Sequence, residues 1–209
     1  MHWDILDSTR TKLLPQFSFL KDYGFYLAGG TALALWFGHR KSIDFDFYCE
    51  TSFNEMEFEN NLVQKLPDFK VTQRSQGTII GICQTVDLSF FHYPYPLVEP
   101  IQHTETLDIC PVPDIAAMKL IAISQRGIRR DFLDLYVICR KHELFQVFNW
   151  AQKKYPQFDP HVCLKALTYF DDADSDESGR GMELSKPVPW ADVKVFFQKE
   201  AVRFAKVML

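Results

Sequence analysis

The stretch from Phe25 to Cys49 constrains the fold more than any other. Phe25-Tyr26-Leu27-Ala28 is a short apolar run that ends in Gly29-Gly30. The segment Thr31 to Trp36 is rich in helix formers and stops at Gly38. From Ser42 to Cys49 polar and apolar residues alternate, with Ile43, Phe45 and Phe47 on one side and Ser42, Asp44, Asp46 and Tyr48 on the other. That period of two is the signature of a half-buried strand. The order strand, glycine turn, helix, strand predicts a sheet with helices laid against it.

The remaining chain fits such a core. Trp3, Ile5, Leu6, Leu13 and Leu14 predict a leading helix closed by Pro15. Ser52 followed by Glu55 reads as a capping box, and Phe58, Leu62, Val63 and Leu66 as the apolar stripe of the helix it opens. Lys70 to Arg74, Thr78 to Cys83 and Val86 to Phe91 are β-rich runs joined by short turns. After the prolines at 94, 96 and 100 the text is helical: 114–126, 130–141, 144–154, 160–170 and 190–207. Asp171 to Gly181, acidic with Gly and Ser, predicts a flexible surface loop. Its carboxylates Asp171, Asp172, Asp174, Asp176 and Glu177 lack the glycine and glutamate positions of a calcium-binding EF-hand loop. Nineteen Phe, eight Tyr and four Trp are enough bulky apolar side chains for a sizeable core.

Charge and cysteine usage bound the partners and the setting. With 23 basic and 27 acidic side chains the net charge is −4, so no whole-chain attraction draws the protein to nucleic acid or an anionic membrane. Phosphate binding then needs a local basic patch, and Arg40, Lys41, Lys119, Arg126, Arg129 and Arg130 are the residues available for one. Five scattered cysteines without a CxxC pair suit a reducing compartment. The start Met1-His2-Trp3-Asp4 lacks the basic opening of a signal peptide, and the uncharged stretch from Tyr23 to Gly38 is too short for a membrane span. A cytoplasmic protein with no membrane partner is expected.

The residues with chemistry to offer cluster in the opening segment. Asp44 and Asp46 on one strand face lie about 7 Å apart, two rises of a strand. Hard carboxylate oxygens at that spacing suit Mg²⁺, or Mn²⁺, with coordination positions left for phosphates. The glycine turn allows a ligand to approach the backbone, and the first N–H groups of the following helix can point at a triphosphate. By itself an Asp-x-Asp is more often a solvated face, and most Gly-Gly pairs are turns. Combined at this spacing they read as metal-dependent nucleotide handling.

Four blocks, GGTALAL...GHRKSIDFDFY, TVDLSFFHYPY, DIAAMKLIAISQRGIRRDFLDLYVI and YFDDAD...WADVKVFF, resemble the AbiEii/AbiGii toxin family and its MenT-like relatives, nucleotidyltransferases of the DNA polymerase β superfamily. The resemblance covers nearly the whole chain. It implies an α/β (α+β) polymerase β-like fold, with a nucleotidyltransferase core over residues 1–100 and a helical part over 101–209 that completes the active-site cleft. It implies transfer of an NMP from an NTP to an acceptor hydroxyl, an RNA acceptor such as a tRNA 3′ end, Mg²⁺ as cofactor, and an antitoxin protein as partner.

Carried over by position, the resemblance gives nucleotide binding to Gly29, Gly30, Thr31, Ser42 and Lys119. Arg126, seven residues on and on the same helix face as Lys119, and Arg40, whose guanidinium matches phosphate geometry but could equally bridge to Asp44, join them from the residues themselves. The resemblance gives metal binding to Asp44, Asp46 and Asp87, and catalytic roles to Asp44, Asp46, Lys119 and Asp131, with Asp134 completing an Asp-x-x-Asp. Blander readings stand beside these. Asp87 is an exposed strand residue, Lys119 a snorkelling lysine, Arg126 a helix C-terminal cation, and Asp134 a partner of Arg130 at i, i+4. Two other functions use the same fold: a non-catalytic nucleotide- or protein-binding module, and transfer of a nucleotide onto protein.

Overall fold

The computed structural model describes residues 1–176 and 183–208. The chain forms two compact units, Met1–Pro111 and Val112–Leu209.

The first unit is a mixed sheet with helices. A 3-10 turn at Trp3–Ile5 precedes α1 (Ser8–Leu13), and a second 3-10 segment runs over Leu14–Tyr23. Pro15 was expected to close the leading helix. It stands instead in the first turn of the 3-10 segment, where its missing N–H is one that has no helical partner anyway. Next come β1 (Tyr26–Leu27), α2 (Gly29–Phe37), β2 (Asp44–Cys49) and α3 (Glu55–Lys65). The hairpin strands β3 (Phe69–Ser75), β4 (Thr78–Cys83) and β5 (Val86–His92) follow, then the two-residue strands β6 (Gln102–His103) and β7 (Asp108–Ile109).

The strands form one seven-stranded sheet of order β3-β4-β5-β2-β1-β7-β6. The pairs β2–β5 and β1–β7 are parallel and the others antiparallel. β6 and β7 are absent from the sequence reading because two residues are too few to show a period.

One sheet face is the core. Phe45 and Phe47 of β2 are wholly buried and meet Phe17 with ring centroids 5.2 and 5.1 Å apart. Phe47 stacks on Phe90 of β5 at 5.3 Å, and Phe58 of α3 packs on Phe25 at 4.8 Å. Edge-on and offset ring pairs of this kind add to the area they bury.

Three local expectations are corrected. The alternation puts Ile43 inside and Ser42 outside, but β2 begins only at Asp44. Before it Ser42 is 3% exposed and Ile43 43%. The cap of α3 is Asn54, whose side chain accepts from Glu57 N–H at 3.0 Å, so Ser52 lies outside the helix. Val63, read as part of that helix's apolar stripe, is 46% exposed, while Phe58, Leu62 and Leu66 are buried.

The second unit is helical: α4 (Val112–Arg126), α5 (Arg129–Cys139), α6 (Leu144–Lys154), α7 (Pro160–Ala166), α8 (Asp171–Ser175) and α9 (Trp190–Met208). Phe132 of α5 gathers Phe170, Trp190 and Phe197 at 5.3, 5.8 and 5.7 Å, and Phe148 of α6 meets Phe204 at 4.2 Å. Asp114 and Lys154, both fully buried, join α4 to α6 through a 2.7 Å contact.

The acidic stretch read as a flexible loop is in part ordered. Asp171–Ser175 is helical, and residues 177–181 lie outside the described residues. Asp174 accepts from Trp190 Nε1 at 2.6 Å and pairs with Lys194 at 3.1 Å. The Arg129 N–H donates to Asp176 Oδ2 at 3.2 Å, and the Arg129 guanidinium lies 5.2 Å from the centre of the Trp190 ring. No helix among the described residues is long and apolar enough to cross a membrane. All five cysteines are free.

Candidate functional site

β1 ends at Leu27 and α2 opens at Gly29, so a single residue, Ala28, turns strand into helix. Gly29 sits at φ +65°, where a side chain is strained, and a Cβ there would lie 3.1 Å from Asp46 Oδ2. The glycine therefore brings the start of the helix directly against the second carboxylate of the acidic strand. The Ala28 N–H donates to the Asp46 carbonyl at 2.9 Å, which continues the β1–β2 ladder by one step.

Beyond that step β1 offers β2 no further residue, and side chains take over. The Thr31 hydroxyl donates to the Asp44 carbonyl at 2.5 Å and also lies 3.1 Å from Asp44 Oδ1. With its proton so used, Thr31 accepts from Ser42 Oγ at 2.6 Å, and Ser42 accepts from Arg40 Nη1 at 3.3 Å. Ser42 Oγ stands 3.4 Å from Asp44 Oδ1. Donors thus run in one direction, Arg40 to Ser42 to Thr31 to Asp44, and hydrogen bonds in such a chain polarise one another. Thr31, Ser42 and Arg40 are 1%, 3% and 7% exposed. All three belong to the group expected to bind nucleotide; Thr31 and Ser42 direct their hydroxyls towards Asp44, while Arg40 Nη1 is shared between Ser42 and the Lys41 carbonyl at 3.1 Å.

Asp44 and Asp46 are half-buried on the face opposite the phenylalanine core. Across the parallel ladder Asp44 pairs with Asp87 and Asp46 with Ser89, so the three carboxylates share one sheet face. Asp87 is exposed. Among the described residues no group of three or more His, Cys, Asp or Glu side chains converges to hold a metal by itself. Mg²⁺ does not require such a cage, because it is commonly held by one or two carboxylates together with phosphates and water.

Lys119, Arg126 and Asp131 belong to the helical unit and form a network of their own. Lys119 Nζ stands 2.8 Å from Asp131 Oδ1 and 2.8 Å from Asp134 Oδ2. Arg126 Nε donates to Asp131 Oδ2 at 2.9 Å and Nη2 to Oδ1 at 3.2 Å. Both aspartates are fully buried, and Arg126 is 52% exposed. Burial raises the Asp131 carboxyl, yet the charge of Lys119 and the hydrogen bond and charge of Arg126 outweigh it, so the group titrates below its ordinary range. Asp131 is therefore held as an anion. The i, i+4 partner expected for Asp134 was Arg130; the cation it meets here is Lys119.

A residue outside the expected set also reaches the acidic strand. Arg10 of α1 is 8% exposed and donates through Nη2 to the carbonyl of Ile43, immediately before Asp44. No local pattern ties two positions 33 residues apart. Asp7-x-x-Arg10, a cap and a cation at i, i+3, is the one trace of it in the sequence.

The sequence profile of the nucleotidyl transferase AbiEii toxin family, a type IV toxin–antitoxin system, matches residues 13–82, which hold β1, α2 and β2. An uncharacterised protein of Aquifex aeolicus (strain VF5) is 37% identical over 188 residues, covering 86% of this chain and 87% of that protein. Among solved structures, JHP933 from Helicobacter pylori superposes with a TM-score of 0.60 at 18% identity, over 99% of this chain and 95% of its own. MenT4, a nucleotidyltransferase toxin from Mycobacterium tuberculosis H37Rv, does so with a TM-score of 0.57 at 16% identity, over 91% and 80%. At such identities the two structures establish a shared fold. Together with the profile match and the Aquifex relative, they show that the chain belongs to the AbiEii family of nucleotidyltransferases.

Proposed function

We propose that the protein transfers an NMP from an NTP to the 3′ hydroxyl of an RNA, with tRNA as the acceptor class, and that it acts as the toxin of a pair with an antitoxin protein. The observation that carries this reading is the alignment of Asp44 and Asp46 on one strand face, with the start of α2 held against Asp46 by Gly29. The acceptor oxygen attacks the α-phosphorus, the α–β bridging bond breaks, and pyrophosphate leaves. Asp44 and Asp46 hold the divalent cation, Mg²⁺ or Mn²⁺. When bound, the ion supplies charge neutralisation on the phosphates and on the attacking oxygen. Asp87, on the same face, takes the hydroxyl proton or completes the metal shell. Gly29 and Gly30 let the phosphates approach the first N–H groups of α2.

The burial of Thr31, Ser42 and Arg40 supports a role for them in orienting Asp44, one step removed from the phosphates. Lys119 and Asp131, paired with each other, support Arg126 as the member of their network able to meet phosphate oxygens, since its guanidinium is half exposed.

The reading is tested by incubating the purified protein with Mg²⁺, each labelled NTP in turn and total RNA. Label is expected in RNA from one or a few NTPs, and EDTA is expected to stop its appearance. Failure of transfer with every NTP, or transfer unchanged in Asp44→Ala and Asp46→Ala, overturns it.

A further inference from the structure

Arg10 lies outside the set drawn from the resemblance, yet its guanidinium ends on the main chain of the acidic strand. Its own position is fixed from α1. The Arg10 N–H donates to Asp7 Oδ1 at 2.9 Å, and Nη1 donates to Asp7 Oδ2, so the capping aspartate of the helix grips both ends of the residue. The remaining arm, Nη2, donates to the Ile43 carbonyl.

That carbonyl has a particular place. The β2–β5 ladder begins at Asp44 paired with Asp87, so Ile43 lies before it. A carbonyl oxygen carries two lone pairs, and the guanidinium gives this one a charge-assisted donor. The Ile43 carbonyl also belongs to the peptide unit that leads into the Asp44 Cα. The next carbonyl, that of Asp44, is held by Thr31. The two peptide planes flanking Asp44 are therefore each tied by a side chain from a different helix, Arg10 of α1 and Thr31 of α2. With both planes fixed, the direction of the Asp44 Cα–Cβ bond is fixed as well.

We propose that Arg10 is a positioning residue for the Asp44 carboxylate, acting through the Ile43 peptide to preset that carboxylate for a divalent cation. The inference rests on Asp44 as a metal ligand, and it extends the site to a buried cation at the start of the chain. A merely structural Arg10 would anchor α1 to the sheet, and its loss would lower stability without changing affinity for metal.

The test measures Mn²⁺ binding to the full chain from the loss of the free-ion electron paramagnetic resonance signal, alongside thermal melting, in Arg10→Met, Arg10→Lys, Asp44→Asn and Asn54→Ala. Asn54→Ala removes the α3 cap and serves as a stability-matched control. Arg10→Met is expected to weaken Mn²⁺ binding about tenfold or more, as loss of a ligand's supporting partner does. Arg10→Lys, which keeps the charge and can hold one of the two partners, recovers part of that loss, and Asn54→Ala leaves affinity unchanged. If Arg10→Met does not fold, Arg10→Lys decides, and an affinity within twofold of wild type overturns the proposal. Unchanged affinity in the Arg10 variants, with binding abolished in Asp44→Asn, leaves Asp44 as a ligand and makes Arg10 structural. Unchanged affinity in Asp44→Asn removes Asp44 as a ligand, and the role of Arg10 with it.

Discussion

The hydroxyl of Thr31 donates to the main-chain carbonyl of Asp44 at 2.5 Å, filling a ladder position for which β1, two residues long, provides no strand. A helix that starts one residue after a strand leaves the neighbouring strand short of partners. Here the first turn of the helix supplies them, Ala28 through its N–H and Thr31 through its side chain. The carboxylate of Asp44 is thereby held from the helix that would face the nucleotide.

Thr31→Val keeps the shape and removes the donor, leaving a part-buried carbonyl unsatisfied. The expected cost is about 1–3 kcal/mol. Thr31→Ser retains the hydroxyl and is expected to lose far less. Chemical denaturation followed by circular dichroism separates the two, and equal losses would mean that the hydroxyl contributes nothing.

Gly29→Ala places a methyl group at φ +65° and 3.1 Å from Asp46 Oδ2. The left-handed backbone alone costs an alanine about 1 kcal/mol, and Asp46 must also move aside. Transfer activity is expected to fall by a larger factor than stability explains. Activity equal to wild type at a lowered melting temperature would show that Asp46 tolerates the displacement.

Asp44→Asn and Asp46→Asn each remove a negative charge from the half-buried face while keeping the side-chain shape. Nucleotide transfer is expected to drop on the order of 10³-fold, with melting temperature unchanged or raised, because two carboxylates side by side repel each other. Rate measurements with labelled NTP and RNA check the first outcome and thermal scans the second.

Lys119→Met removes the cation shared by Asp131 and Asp134, both fully buried, and leaves Arg126 on Asp131. Removing one partner of a buried pair costs about 3–5 kcal/mol, read by urea denaturation at pH 7. The sign of the pH dependence follows from the Asp131 carboxyl lying below its ordinary range in the folded protein. The stabilisation it brings is complete above the unfolded value near 3.9 and is withdrawn as pH falls through the lower folded value. In Lys119→Met the two buried carboxyls have lost their shared cation and gain by protonation, so the gap between wild type and variant is expected to narrow from pH 7 to pH 3. A gap independent of pH would assign the loss to packing.

Burial pushes the thiols of Cys49 and Cys139 up to about 12, with Glu200 adding to the effect at Cys139. Thiolate is the reactive form, so these two thiols are expected to resist DTNB at pH 8 in the native protein. In denaturant all five cysteines should titrate, since none is in a disulfide. Rapid labelling of Cys49 in the native state, located by peptide mapping, would contradict the burial.

Much of the first unit is legible in the sequence because its signals are local. Gly29-Gly30 before Thr31 to Trp36 is a turn into a helix by backbone sterics and propensity alone. Phe45 and Phe47 alternate with Asp44 and Asp46 because side chains on a strand must. The same rule misplaces Ser42 and Ile43, since period carries no information about where pairing with β5 begins. β6 and β7 are invisible for a related reason: each is two residues whose strand character comes from the neighbour it meets.

The sequence by itself determined the order of the longer elements, the carboxylate pair on one strand face, and membership of a nucleotidyltransferase family. Tertiary structure decided which partners the charged and hydroxyl groups take. Arg10 meets the peptide before Asp44 across 33 residues, Lys119 meets Asp131 and Asp134 from another helix, and Thr31 and Ser42 turn their hydroxyls towards Asp44. Local sterics and periodicity act over a few residues and are written in the chain. The pairing of buried polar groups depends on which segments close upon one another, because each such group must find its partner wherever folding brings one within reach.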